Sequence, residues 1–241
     1  MSSGSHYIAL SGLRARVDEL DRLSADIANI GTAGYKGERD TTAAAERSAF
    51  DRTLMSAIDT THGGRRLDMA DGGMAPTGRA LDLAIDGKGF FVIDTPNGPR
   101  YTRNGHFTVD ADRKLVTDDG QAVLGADGPI TLAEGEIRVD ADGSIWTDTT
   151  KAGRLSIVTF DDPGLLGRDH GSRLRADGQT AVPMETPVVR GGTLETSNVS
   201  VAERLAQLTT VSRGFEALQK SISMMLNDVD GRAIDSLGRR G

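Results

Sequence analysis

The stretch from Leu194 to the C-terminus constrains this chain most. From Val201 onward, apolar residues recur in a heptad-like rhythm: Val201, Leu205, Leu208, Phe215, Ile222, Leu226 and Val229, with Ser212 and Gln219 in the same stripe. Val211, Leu218 and Met225 add a second row. Steps of four and three place such residues on one face of a helix, and a narrow apolar face requires a partner along its length. Proline is absent from Val201 to Gly241, and Gly214 is the only glycine before Gly231. Ser200, with Glu203 three positions on, has the pattern of a capping box. A helix of about 30 residues is ~45 Å long at its usual rise. That is long for a compact domain and raises the question of what covers it.

The first segment mirrors the last. Leu10, Leu13, Val17, Leu20 and Ile27 step by three and four, Ser24 fills the stripe, and Leu23 and Ile30 flank it. Arg14, Arg16, Asp18, Glu19, Asp21 and Arg22 make a solvated face. The spacing predicts a helix over 6–29, ended by Asn29-Ile30-Gly31-Thr32-Ala33-Gly34, where Gly31 and Gly34 can supply positive φ. Two terminal stripes of matching period can satisfy each other as an antiparallel or a parallel pair, or pack with the same helices of other copies. A plain two-helix buttress on a single domain is the alternative.

The middle reads as β-structure, in keeping with 30 glycines and many turns. Leu81, Leu83 and Ile85 alternate with Asp82 and Ala84, and Gly87-Lys88-Gly89 leads into Phe90-Phe91-Val92-Ile93. Pro96-Asn97-Gly98-Pro99 is a tight turn. The stretch Phe107 to Asp118 is echoed by Ile137 to Asp148, two hairpins with Asp/Gly turns expected in one sheet. Leu155 to Phe160 is a further strand, and a final one is expected over Pro187 to Leu194. Residues 37–75 read as a partly extended connector in which Ala43 to Ile58 allow some helix. The expected fold is therefore α+β: long N- and C-terminal helices packed together as a coiled-coil-like domain, with an intervening, mainly antiparallel β domain. The boundaries are 1–36 for the first helix and its motif, 37–75 for the connector, 76–197 for the β-rich domain and 198–241 for the second helix.

Composition narrows the function classes. A net charge of −7 and a pI near 5.1 argue against nucleic acid as a partner. Without cysteine there is no disulfide framework and no thiolate metal site. No apolar run approaches the ~20 residues that span a bilayer, so no direct membrane insertion is expected. Met1 to His6 has neither the basic nor the apolar region of a cleaved secretory signal. None of His6, His62, His106 and His170 has a metal-ligand partner at helical spacing. No Gly-x-Ser-x-Gly elbow or Walker loop occurs, and Asp86-Gly87-Lys88-Gly89 lacks the spacing of a phosphate loop. Asp110/Asp112 and Asp140/Asp142 fit hairpin turns better than a calcium loop, whose further ligands are missing. No catalytic, cofactor or metal residue is assigned, and an enzyme is not expected.

Three stretches carry a family resemblance. Ser24-Ala25-Asp26-Ile27-Ala28-Asn29-Ile30-Gly31-Thr32-Ala33-Gly34-Tyr35-Lys36 resembles the helix-ending motif of bacterial flagellar axial proteins, with Asp26 where the motif usually has Asn. Thr77 to Phe91, continued by Tyr101-Thr102-Arg103-Asn104-Gly105-His106-Phe107 and Leu115 to Gly120, resembles the block of the rod and hook branch. Leu194-Glu195-Thr196-Ser197-Asn198-Val199 is similar to the family's entry into its C-terminal helix. The matches span 8–36, 77–125 and 194–230. The resemblance implies a non-enzymatic rod subunit of the flagellar basal body in the periplasmic space, assembled through its terminal helices with other axial proteins and copies of itself. It also implies passage through the flagellar type III export apparatus without a cleaved signal, and no cofactor. The length of the chain and its short 37–75 segment favour the proximal over the distal rod branch. The assembly interface implied comprises Leu10, Leu13, Val17, Leu20, Ile27, Asn29, Thr32, Gly34, Tyr35, Leu194, Ser197, Asn198, Val199, Leu205, Leu208, Phe215, Ile222 and Leu226. A cell-surface binding module built on the β domain is the competing reading.

Overall fold

A computed structural model of the chain describes residues 2–40 and 65–238. The helix allowed by Ala43 to Ile58, and with it most of the expected connector, lies outside the described residues. The chain divides into two compact units, one carrying both α-helices and the other made of residues 28–39 and 65–199.

Helix α1 is Ser2–Ala28 and helix α2 is Val201–Gly238. The Ser200 carbonyl accepts the Arg204 N–H at 3.0 Å, and its hydroxyl lies 3.5 Å from the Glu203 N–H. The Glu203 carboxylate accepts from Gln207 on the next turn, so the cap is one-sided rather than a reciprocal box. At the end of α1, Gly34 takes the left-handed conformation at φ 64°, and Gly31 does not.

The two helices do not form the expected coiled-coil-like domain, and this part of the fold expectation is corrected. A heptad seam would bury Val17, Val201 and Leu205, yet these are 41%, 48% and 48% exposed. Among the described side chains of α1, from Gly12 on, the buried ones are instead Ala15, Leu23 and Asp26. In α2 Val211 is buried, with Arg204, Leu208, Phe215 and Leu218 half-buried on the same side. The inward line of α2 therefore runs through the second apolar row rather than through Val201 and Leu205, and a charged pair and the side-chain-free Gly12 interrupt the contact, so no continuous knobs-into-holes seam forms. The helices touch where a Cβ on Gly12 would stand 3.5 Å from Leu218 Cδ2, and where Arg204 Nε lies 3.0 Å from Asp26 Oδ2. As many residues separate Gly12 from Asp26 as separate Arg204 from Leu218, so the contact is antiparallel. The α+β class itself stands.

The second unit is built on one strand, Phe90–Asp94. It pairs antiparallel with Arg100–Thr102 and Ile157–Thr159, and beyond Phe91 with Ala122–Gly125. A strand buried on both faces reads as a continuous apolar run rather than an alternation, which explains Phe-Phe-Val-Ile. Phe91 and Ile93 point into one core with Leu83, Ile85, Phe107, Leu115, Val123, Ile145 and Ile157. Phe90 and Val92 point into the other, with Tyr101, Val158, Phe160 and Leu174. Edge-to-face rings anchor each side: Phe91 on Phe107 at 5.1 Å, and Tyr101 on Phe160 at 4.8 Å.

The two echoed hairpins share a register, Val109 opposite Leu115 and Val139 opposite Ile145. They lie in different sheets, however: Phe107–Val109 and Leu115–Thr117 in the ten-stranded one, Ile137–Val139 and Ser144–Thr147 in a three-stranded one completed by Thr150–Arg154. The next strand in the chain makes the difference. After the first hairpin, Ala122–Gly125 pairs with Leu115–Thr117 and on its other edge with the central strand. After the second, Thr150–Arg154 turns back on its own hairpin. The aspartates hold the turns, Asp110 accepting from the Lys114 N–H at 2.7 Å and Asp142 from the Ser144 N–H at 2.9 Å. The expected last strand is split at Gly192, φ 68°, into Val189–Gly191 beside Leu83–Ile85 and Thr193–Glu195 beside Met74–Pro76.

Two glycine substitutions are expected to act in opposite directions. Gly143→Ala puts a side chain at φ 81° with room around it, so strain alone lowers the stability of the β unit by about 1 kcal/mol. Gly214→Ala, exposed inside α2 with nothing within 4 Å, raises helix stability by about 1 kcal/mol. Denaturant titrations followed by Trp146 fluorescence and by far-UV circular dichroism check the two.

Candidate functional site

The three sequence blocks meet in one buried cluster of charge. Lys36 ends the first block, Arg103 lies in the second and Glu195 in the third. Glu195 is fully buried at 0% exposure, and Lys36 and Arg103 are buried with it. The Lys36 ammonium donates to Glu195 Oε1 at 2.6 Å and to the Ala70 carbonyl at 2.7 Å. The Gly72 N–H donates to the same carboxylate oxygen at 3.1 Å. Arg103 Nε stands 3.4 Å from the other oxygen, Oε2. Its guanidinium also donates to the Gly87 carbonyl at 2.6 Å and to the Ile85 carbonyl at 3.4 Å, with Asp71 3.4 Å away. A buried charge persists only when it is paired and its remaining donors are satisfied, and backbone carbonyls supply what the single carboxylate cannot.

The backbone closes around this cluster. The Gly34 N–H donates to the Glu195 carbonyl at 2.7 Å, and the Asn198 N–H to the Tyr35 carbonyl at 3.3 Å. A Cβ on Gly34 would fall 2.2 Å from the Arg103 carbonyl carbon, and one on Gly72 would fall 1.8 Å from the Thr196 oxygen. Glycine is required at both by close approach, and at Gly34 by its φ as well. Asn198 spans three segments: its amide donates to the Asp68 carbonyl at 2.8 Å and the Ala70 carbonyl at 3.1 Å, and its oxygen accepts from the Gly37 N–H at 2.9 Å. Tyr35 is buried under Arg168, whose guanidinium carbon is 4.3 Å from the ring centroid and whose Nε is 3.0 Å from Glu38. The segment after α1 and the segment before α2 are thus fastened to each other and to residues 68–72.

The residues expected at an assembly interface fall into distinct places. Gly34 and Tyr35 are buried within the junction; Asn29, Thr32, Leu194, Ser197, Asn198 and Val199 are half-buried around it. Thr32 donates its hydroxyl to Asn29 at 3.2 Å, and the Ser197 hydroxyl accepts from the Val199 N–H at 3.2 Å, both local turn contacts. On the helices, Leu13, Leu20, Ile27, Leu208 and Phe215 are half-buried, while Val17 and Leu205 are exposed. The side chains of Leu10, Ile222 and Leu226 lie outside the described residues. Sequence reasoning passed over Lys36, Arg103, Glu195 and Arg168. Their signal was present in part, since the first three lie inside the family motifs, but nothing in the spacing says that charges so far apart in the chain neutralise one another.

Asp68 sits beside the cluster. Burial raises its pKa, but the bonds it accepts from the Arg39 side chain and the Ala70 N–H, with the fields of Arg39 and Lys36, outweigh burial and leave it below its ordinary value of 3.8. No group of side chains suited to a metal ion occurs among the described residues. The site's chemistry is that of a fastening.

Comparison with known proteins agrees with the geometry. A family model described as the flagellar hook protein FlgE/F/G D1 domain matches residues 84–147, and one described as the flagellar basal body rod FlgEFG protein C-terminal matches 190–227. The chain is 35% identical to the flagellar basal-body rod protein FlgF of Rhizobium meliloti, over 96% of this chain and 97% of that one. It is 32% identical to FlgF of Caulobacter vibrioides over 97% of each. It is 30% identical to the rod protein FlgG of Bacillus subtilis over 91% of this chain and 94% of that one.

Two outcomes are expected of this junction. Glu195→Ala leaves two buried cations without their anion and lowers the stability of the β unit by about 3–5 kcal/mol, measured by urea titration. Asp68→Asn is less stable than the parent at neutral pH, and the gap closes with acid. A carboxylate whose pKa is depressed on folding contributes stability above its unfolded pKa and loses it as pH falls through the folded one. Thermal melts from pH 7 downward track the convergence.

Proposed function

The chain belongs to the family of flagellar basal-body rod proteins, and from that premise we propose that it fills the FlgF rather than the FlgG position among the rod subunits. The support is the higher identity to two FlgF proteins, 35% and 32%, over a larger share of the chain than the FlgG match covers. The protein is a structural subunit of the rod, working with other basal-body proteins. We infer further that it contacts copies of itself as well as other rod proteins, and acts in the periplasmic part of the basal body after export by the flagellar apparatus without a cleaved signal. No catalytic role is assigned to it.

One observation carries the assembly reading. The helical unit leaves Val17, Val201, Leu205 and Met224 exposed, while the charged groups Asp26 and Arg204 are turned inward. An isolated protein gains nothing from that exchange; an assembled one buries the exposed residues against neighbours. The junction then has a mechanical part: with the segments beyond α1 and before α2 bonded to one another, load entering at either helix reaches the β unit through both. Asn29, Thr32, Leu194, Ser197, Asn198 and Val199 support that role in this chain, and Leu10, Leu13, Val17, Leu20, Ile27, Leu205, Leu208, Phe215, Ile222 and Leu226 remain the proposed contact set on the helices.

The test is complementation of cells lacking this chain. Val17→Asp and Leu205→Asp, both at exposed positions, are expected to keep the soluble fold and to abolish motility and recovery of the protein in purified basal bodies. Normal swimming with either variant overturns the assembly reading.

A further inference from the structure

We propose that the hairpin Gly167–Arg175 is a clasp on the segment that follows α1, closed by Arg168 and able to open while the Glu195 junction stays shut. The hairpin is the outermost pair of strands at one edge of the ten-stranded sheet, attached to its neighbour through Arg173 opposite Thr102 and Leu174 opposite Tyr101. Leu174 is its only buried residue. Charges hold the rest: Arg173 meets Asp119 at 2.5 Å, and Asp169 meets Arg100 Nε at 3.2 Å. An element with few buried apolar contacts is among the first to open locally. Its first strand carries a bulge between Arg168 and His170. Bulges at sheet edges re-aim neighbouring side chains, and Arg168 stands next to this one. Its guanidinium carbon lies 4.3 Å from the Tyr35 ring centroid. The guanidinium donates from Nε to Glu38 at 3.0 Å, from Nη2 to the Lys36 carbonyl, and from Nη1 to the Gly171 carbonyl of its own hairpin at 3.0 Å. One side chain thus holds a ring, a carbonyl and a carboxylate of residues 35–38. The junction holds other groups of the same segment: the Gly34 N–H, the Tyr35 carbonyl, the Lys36 ammonium and the Gly37 N–H. The two anchors share no group, so each can be released without the other. They also differ in chemistry. The Lys36 and Glu195 side chains are 2% and 1% exposed, whereas those of Arg168 and Glu38 are 20% and 17% exposed and within reach of water. Opening the clasp frees the Tyr35 ring and the strand Glu38–Asp40 from the hairpin while Gly34 and Lys36 stay bound. Arg168 is a positioning residue for this segment, a role that does not depend on the rod reading.

Amide hydrogen exchange, read residue by residue in the full-length soluble protein, tests the clasp. Arg168→Ala is expected to speed exchange across Glu38–Asp40 by at least ~10-fold, the effect of losing a cation–π contact together with charge-assisted bonds. Exchange at Gly34 and along Phe90–Asp94 is expected to stay at the parent rate. Arg168→Lys keeps the charge but lacks the planar fork that reaches ring, carbonyl and carboxylate together, and is expected to recover a minor part of the protection. Unchanged exchange across Glu38–Asp40 in Arg168→Ala overturns the proposal. An equal rise at Gly34 overturns it as well, because clasp and junction would then open as one unit. An equal rise along Phe90–Asp94 does the same, because Arg168 would then contribute only to the overall stability of the β unit.

Discussion

One carboxylate, that of Glu195, is the constraint on which the junction depends. It is fully buried and shared by Lys36, Gly72 and Arg103, which come from far apart in the chain. Each of those groups would be costly to bury alone, and their mutual satisfaction requires every segment to be in place at once. Removing the Glu195 carboxylate leaves two buried cations without the anion they share. The glycines Gly34 and Gly72 let the backbones of these segments approach closely around the cluster. The arrangement turns a β unit into a base that grips both terminal segments.

The β unit can serve as a base because its central strand is packed on both sides. Residue parity along Phe90–Ile93 sends alternate side chains into two separate cores, so the strand is fixed by apolar contacts above and below. Arg103 extends from the end of the neighbouring strand, Arg100–Thr102, and its guanidinium lies 5.8 Å from the Phe90 ring centroid. The charged junction and the second core therefore share a wall. The rigidity of the packed strand is what allows the guanidinium to be held within reach of Glu195.

The helical unit obeys a different rule. Its inward line is mixed, with Asp26 and Arg204 among Leu23, Val211 and partly buried apolar residues, and its most regular apolar stripe is partly open to solvent. For a protein that acts alone this would be a poorly optimised helix pair. In the proposed rod assembly these exposed apolar residues are the ones that neighbouring subunits would cover.

Much of this was legible in the residues. The 3.6-residue period gave the two terminal helices, the Phe-Phe-Val-Ile run gave a strand, and the Asp/Gly pairs gave the hairpin turns, because each is a local pattern imposed by local geometry. The family motifs gave the rod assignment. What the residues did not reveal was which partners each element would choose. The two echoed hairpins are alike in sequence and register yet lie in different sheets, since pairing is settled by the next strand in the chain. The stripe from Val201 to Leu226 predicted Val201 and Leu205 to face inward, and the structure leaves both exposed while the neighbouring row, with Val211, is covered. Lys36, Arg103 and Glu195 are ordinary charged residues until the fold removes water from all three together. The sequence by itself determined the elements and the family, because periodicity and motifs are short-range. Only the tertiary structure decided their facing and their charge pairing, because the cost of desolvation depends on everything that surrounds a group.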